Sequence, residues 1–140
     1  MIQKNYFRLI LLMLISVFAF SCAKERSPSL HITVLDNQGI PASGAIVHAW
    51  PGGNALGGTV NEAEMDKTGT TDAAGYVKFD FKFSAVLDVD VVYFKTTQVV
   101  DTAGTLITLV DSLSGHKVVK IESLRQTSTN NDYKETINLK

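Results

Sequence analysis

One cysteine, three prolines and one tryptophan are all that this 140-residue chain contains of those residues. A single thiol excludes an internal disulfide and a thiolate zinc site, so a folded domain here must rest on an apolar core. No segment of ten or more residues repeats its apolar positions at helical spacing, which excludes a helix bundle. Beyond residue 20, no apolar run approaches the about 20 residues that cross a bilayer as a helix. Clustered charge is missing as well: 13 Lys+Arg stand against 14 Asp+Glu, a formal net charge of −1. A nucleic-acid binder would show a basic face, and a protein docking electrostatically on anionic lipid would show grouped lysines and arginines. Both classes drop out.

What is present begins at the amino terminus. Lys4 and Arg8 flank the start of an uncharged apolar run, residues 9–20 (LILLMLISVFAF), and Ala19-Phe20-Ser21 leads into Cys22. A basic front, a short apolar centre and small residues before a cut make a secretory signal peptide. A cysteine directly after that cut resembles the lipobox of bacterial lipoproteins, in which signal peptidase II cleaves before a cysteine that is then lipidated. Phe20 is bulkier than the residue usual there. The resemblance implies removal of residues 1–21 and acylation of Cys22 by three chains, palmitate among them. At about 0.8 kcal/mol per buried methylene, such an anchor is effectively permanent. The alternative, a secreted protein, would leave a free thiol in an oxidising compartment.

Without residues 1–21 the chain has 119 residues, enough for one domain. Losing Lys4 and Arg8 leaves 11 basic residues against 14 acids, a formal net charge of −3. Residues 22–29 read as the lipidated cysteine and a polar tether, with residues 30–140 as the domain. In the lipoproteins it resembles, Ala23 rather than Asp after the cysteine directs the protein to the outer membrane. Lys24-Glu25 resembles the charged tag that carries some to the cell surface, and periplasmic and surface faces both stay open.

Strand signals dominate the domain. Residues 30–35 alternate, with Leu30, Ile32 and Val34 on one side, before the turn Asp36-Asn37-Gln38-Gly39. Residues 45–50 (AIVHAW) form the next strand, followed by a long glycine-rich connection, residues 51–68, in which residues 62–67 can close one helical turn. Thr71-Asp72-Ala73-Ala74-Gly75 is a tight turn. Residues 76–83 (YVKFDFKF) alternate throughout, which places Val77, Phe79, Phe81 and Phe83 inward and makes this strand the expected centre of the core. Residues 86–96 repeat the pattern, with Leu87, Val89, Val91 and Tyr93 inward and Asp88 and Asp90 outward. Weaker strands are expected near 105–110, 116–125 and 133–139, the last two joined as a hairpin by residues 128–132. About seven strands predict an all-β, two-sheet sandwich.

LHITVLDNQGIPASGAIVHAW, then GTTDAAGYVKFDF, resembles the carboxypeptidase-regulatory-like or transthyretin-like (prealbumin-type) β-sandwich family. The elements that carry the likeness are Asp36, Gly39, Pro41, Gly44-Ala45-Ile46-Val47 and Thr71-Asp72-Ala73-Ala74-Gly75, over roughly residues 30–95. The resemblance implies a seven-stranded, Ig-like or transthyretin-like sandwich, and its motifs are turn and packing residues, so no active site comes with it. The hydroxyisourate hydrolases of this fold end in Tyr-Arg-Gly-Ser, whereas this chain ends Ile137-Asn138-Leu139-Lys140.

Candidate chemistry is sparse. His31, His48 and His116 lack metal-ligand spacing and read as outward polar residues. Asp36, Asp66, Asp72, Asp88 and Asp90 lack the dense ligand loop of a calcium hand, and turn capping accounts for Asp36 and Asp72. Gly52-Gly53 and Gly57-Gly58 have no lysine-serine partner for a phosphate cradle. No metal and no cofactor is expected. The best binding candidates are the outward aromatics Trp50, Tyr76 and Phe94, which could stack on sugar or anchor a protein, against the alternative that the twist of the sheets or loop 51–68 covers them. The expectation is a non-catalytic outer-membrane lipoprotein that acts as a binding or assembly module of the cell envelope, held by its lipid and engaging an envelope protein. A carbohydrate-contacting module using Trp50 and loop 51–68 is the alternative, and a small hydrolase the third, for which no nucleophile–base pair stands out.

Overall fold

Alternation of buried and exposed side chains runs along nearly every strand and builds two facing sheets. The computed structural model describes residues 25–52, 62–125 and 131–140; Cys22, the signal segment and residues 53–61 of the glycine-rich connection lie outside the described residues. In chain order the elements are β1 (Glu25–Arg26), β2 (Ser29–Leu35), β3 (Ile46–Trp50), α1 (Glu62–Met65), β4 (Lys67–Thr70), β5 (Tyr76–Asp80), β6 (Ala85–Val100), β7 (Leu106–Ile121), β8 (Leu124–Arg125) and β9 (Asp132–Asn138). One sheet is ordered β5-β2-β9 and the other β4-β3-β6-β7, while β1 pairs with β8 on its own. The seven strands of the two sheets form the expected all-β sandwich.

Between the sheets lies one apolar layer. Leu30, Ile32 and Val34 of β2 face Val47 and Ala49 of β3 and Leu87, Val89 and Val91 of β6, all buried. Burying a side chain of this kind contributes about 1.5–3 kcal/mol. Met65, carried by the single turn α1, is fully buried and joins the same core, as do Leu113, Val119 and Ile121 of β7.

The expected pattern is corrected in four places. First, residues 76–83 are not one strand. β5 ends at Asp80, the Phe81 N–H donates to the Pro28 carbonyl, and the chain bends at Lys82 and Phe83. Phe81 stays 2% exposed, but Phe83, turned out by the bend, is 41% exposed with the Lys82 ammonium 5.3 Å from its ring centre. The centre of its sheet is β2, and β5 is an edge. Second, the strands expected at 105–110 and 116–125 are one continuous strand, β7, of 16 residues. The Ser112-Leu113-Ser114-Gly115 stretch looks like turn composition, yet it pairs residue for residue with 91–94 of β6. Gly115 is needed there, because a Cβ would lie 2.8 Å from Ile137 Cγ2 and 2.9 Å from Leu139 Cδ2. Third, β9 does not form a hairpin with its predecessor; it pairs in parallel with β2, from Ser29↔Asp132 to Leu35↔Asn138. Fourth, the last part of the connection 51–68 contributes β4, paired with β3.

One turn design recurs three times. Asp36, Asp72 and Asp101 each accept, at one carboxylate oxygen, the N–H groups two and four residues ahead. In each, the glycine three residues on donates its N–H to the aspartate carbonyl, with φ of 77°, 69° and 78° at Gly39, Gly75 and Gly104. Glycine reaches that region without strain, and aspartate supplies the local cap. The Thr71 hydroxyl, buried beside the second turn, donates to the Ala42 carbonyl at 2.5 Å and accepts the Ala45 N–H at 2.8 Å. The Gly44-Ala45 and Thr71-Asp72 motifs are therefore two halves of one stitched corner. Asp36 also takes the Lys95 ammonium at 2.7 Å, and that contact together with the turn N–H groups holds its carboxyl below the usual carboxylate range.

Candidate functional site

The outer face of the four-stranded sheet gathers most of the polar and aromatic candidates. Because Val47 and Ala49 point into the core, Ile46, His48 and Trp50 point out from β3; likewise Asp88 and Asp90 point out from β6 between Leu87, Val89 and Val91. Register then aligns them in rows across the strands. Thr68, His48, Asp90 and His116 form one row, and Trp50, Asp88 and Val118 form the next.

The side chains of these rows are joined. The Trp50 indole N–H donates to one Asp90 carboxylate oxygen at 2.8 Å, and the other oxygen meets His116 Nδ1 at 2.8 Å. His116 Nε2 lies 3.5 Å from Asp88 Oδ1, so this imidazole sits between two carboxylates. The His48 ring lies nearly parallel to the indole, 5.9 Å between centres, and its Nε2 contacts Asp66 at 2.8 Å. The Trp50 N–H, followed by His116, holds the Asp90 carboxyl below its ordinary range against the opposing effect of partial burial. Pro51 and Gly52 are buried, and Gly52 leaves the space that the Asp88 carboxylate occupies; a Cβ there would collide with it. The result is an orienting network: one indole edge and two imidazoles fixed by three carboxylates on a sheet face that no other described element covers. Such a face can offer a ring for stacking with hydrogen-bond acceptors around it.

The three aromatics singled out in the sequence do not converge. Trp50 lies within the network. Phe94 shares its outer face but lies six residues past Asp88 along β6, about 20 Å away. Tyr76 sits on the outer face of the other sheet, where its hydroxyl is 2.6 Å from His31 Nδ1. His31 Nε2 faces Asp132 at 3.4 Å without closing a hydrogen bond. The histidines thus divide between the two outer faces, each beside a carboxylate. Among the described residues, no group of three or more His, Cys, Asp or Glu side chains is placed to hold a metal ion. The Asp90–His116 partnership was not anticipated. The outward alternation of Asp88 and Asp90 was visible, but the register that brings His48 and His116 to either side of Asp90 was not.

No protein-family description and no curated protein sequence matches the chain. Solved structures do resemble it. A Pseudomonas aeruginosa protein proposed to bind carbohydrate is 14% identical, with a TM-score of 0.45 over 86% of this chain and 93% of that one. The dioxygenase domain of a carbohydrate-binding fusion from Streptomyces sp. SirexAA-E is 11% identical, with a TM-score of 0.44 over 85% and 82%. The major pilin subunit of Bacillus cereus is 21% identical, with a TM-score of 0.42 over 81% and 29%. The chain spans 16% of a 9R-lipoxygenase from Cyanothece PCC8801 that it also resembles. At these values the likenesses carry no statement of activity, ligand or partner.

Proposed function

We propose that this chain is a lipid-anchored, non-catalytic binding module of the bacterial cell envelope, with the outer face of its four-stranded sheet as the recognition surface. The observation that carries the reading is the hydrogen-bonded chain Trp50–Asp90–His116, which ties two neighbouring rows together on a sheet face with no further layer over it among the described residues. The lipobox-like sequence ending at Cys22 supports the anchor, and Ala23 supports the outer membrane. The stitched corner of Ala42, Ala45 and Thr71, with its Asp-x-x-Gly turn, supports kinship with the carboxypeptidase-regulatory-like sandwiches.

A second reading, carbohydrate contact, is favoured by the stack of His48 on Trp50 beside Asp88 and Asp90. Sugar rings present an apolar face to an indole and hydroxyls to carboxylates. The experiment is glycan-array binding by the full chain, with Trp50→Ala beside it. Binding that falls at least ten-fold in the variant supports sugar recognition, whereas a silent array removes that reading and leaves a protein partner. Cell fractionation checks the anchor: Cys22→Ala should move the protein from membrane to soluble fractions, and retention in the membrane would overturn it.

A further inference from the structure

The hairpin of β6 and β7 outruns the sandwich. β3 covers β6 only as far as Ile46↔Val92, and the carboxyl terminus covers β7 at Ser114, whose N–H and carbonyl exchange bonds with Lys140 at 3.0 Å. Beyond that point eight cross-strand pairs, from Tyr93↔Leu113 to Val100↔Leu106, have no third strand among the described residues. They form a two-stranded arm about 27 Å long. Its base is pinned by Lys95, which reaches Asp36 at 2.7 Å and Gln38 Oε1 at 3.0 Å, and its tip is closed by the Asp101 turn. The projection is therefore paired along its whole length and tied by side chains at both ends.

The arm is apolar on the side that continues the outer face of the sheet. Phe94, Val100, Leu106 and Val110 are 57–65% exposed there, and the side chains between them are threonine, serine and glutamine. That face carries no charge; the arm's Lys95↔Asp111 pair lies on the reverse side. At its base the face runs on into Ile46 and Val92, also exposed. An isolated two-stranded ribbon is marginal in water, and uncovered apolar faces of this kind mark interaction sites.

We propose that the outward face of this arm seats against the same face of a second copy of this chain, in a two-fold dimer. Two observations choose the occupant. The face is uncharged along its whole length, so an identical face meets it with no like charges opposed and no ion to desolvate. Its eight outward side chains, Phe94, Val100, Leu106 and Val110 at 57–65% exposure with the exposed threonines, glutamine and serine between them, offer about 600 Å² of accessible surface on each copy. The total of about 1,200 Å² reaches the lower bound of stable protein interfaces. Packed about 10 Å apart, the two arms would give each other the second layer that a sandwich requires. Asp90↔His116 lies outside the eight pairs that form the proposed interface, two pairs below Val92↔Ser114.

Cysteine cross-linking of the full-length chain in intact envelopes tests this directly. Thr96 pairs with Val110 at the middle of the arm's outward face, close to where the two-fold axis would pass. Thr96→Cys should give a disulfide-linked dimer on oxidation, while Leu109→Cys, on the reverse face, should not. Adding Val110→Asp should reduce the Thr96→Cys dimer at least ten-fold. Sedimentation of the detergent-solubilised full chain should show a dimer of about micromolar affinity, lost in Val110→Asp with an unchanged β spectrum. A monomer at about 100 μM, a dimer indifferent to Val110→Asp, or cross-linking from Leu109→Cys alone would each overturn the proposal.

Discussion

At the scale of single residues, the aspartates and glycines of the three repeated turns determine where the strands reverse. The three glycines share a positive φ but not their surroundings. A Cβ on Gly75 would lie 2.5 Å from the Val34 carbonyl oxygen, whereas one on Gly104 meets nothing within 4 Å. Gly104→Ala should therefore lose only the left-handed strain of about 1–2 kcal/mol, and Gly75→Ala clearly more, measured by denaturant unfolding. Equal losses would show that the second corner is looser than described. Asp36 gives a prediction about pH. Its carboxyl is held below the ordinary value of 3.8, chiefly by Lys95, so its contribution is present above that value and disappears as pH falls through the lowered one. Thermal unfolding between about pH 4 and pH 2 should show the parent losing stability and Asp36→Asn, weaker at neutral pH, losing less over the same interval. Parallel acid limbs would contradict that. The Asp36 and Asp72 turns were legible from Asp-x-x-Gly between alternating strands. The Asp101-Thr102-Ala103-Gly104 turn carries the same signature, and it could have been read in the same way.

At the scale of elements, alternation identified strands well and their ends poorly. Perfect period 2 through Phe83 hides where the ladder stops: the Phe81 N–H still bonds the Pro28 carbonyl, next in register after Ser29↔Asp80, but proline has no N–H to return, and the chain bends at Lys82. Phe81 and Phe83 separate the two descriptions. Phe81→Ala should cost about 3–5 kcal/mol, and Phe83→Ala should stay within about 0.5 kcal/mol of the parent, by equilibrium unfolding. A large loss at Phe83 would restore the eight-residue strand. In β7 the error ran the other way. Serines and a glycine suggested a break, but cross-strand pairing with β6 carries the strand through, and Gly115 serves the close approach of Ile137 and Leu139. Composition reports what a residue permits; the partner strand determines which of those options is used. The same limit applies to β9, whose parallel pairing with β2 joins the two ends of the domain's sequence and leaves no local trace.

At the scale of the whole molecule, two sheets divide the polar candidates between opposite outer faces. His31, Tyr76 and Lys134 lie on one, and Trp50, Asp90 and His116 on the other. At the free margin between the sheets, Lys117 of β7 and Glu135 of β9 meet at 2.6 Å, charges that discourage further strand pairing there. The sandwich and its outward aromatics could be anticipated from alternation alone. The joined row could not, since it depends on the register of three strands, and that register follows from packing across the core. The proposed recognition surface uses only one of the two broad faces. Site-specific photocross-linking in intact cells measures this most directly, with the photoreactive residue placed at Val118, beside Asp88, or at Lys134, beside His31. A discrete adduct from Val118 and none from Lys134 is the expected result. Adducts from Lys134 alone, or equally from both positions, would overturn the assignment of recognition to the Trp50 face.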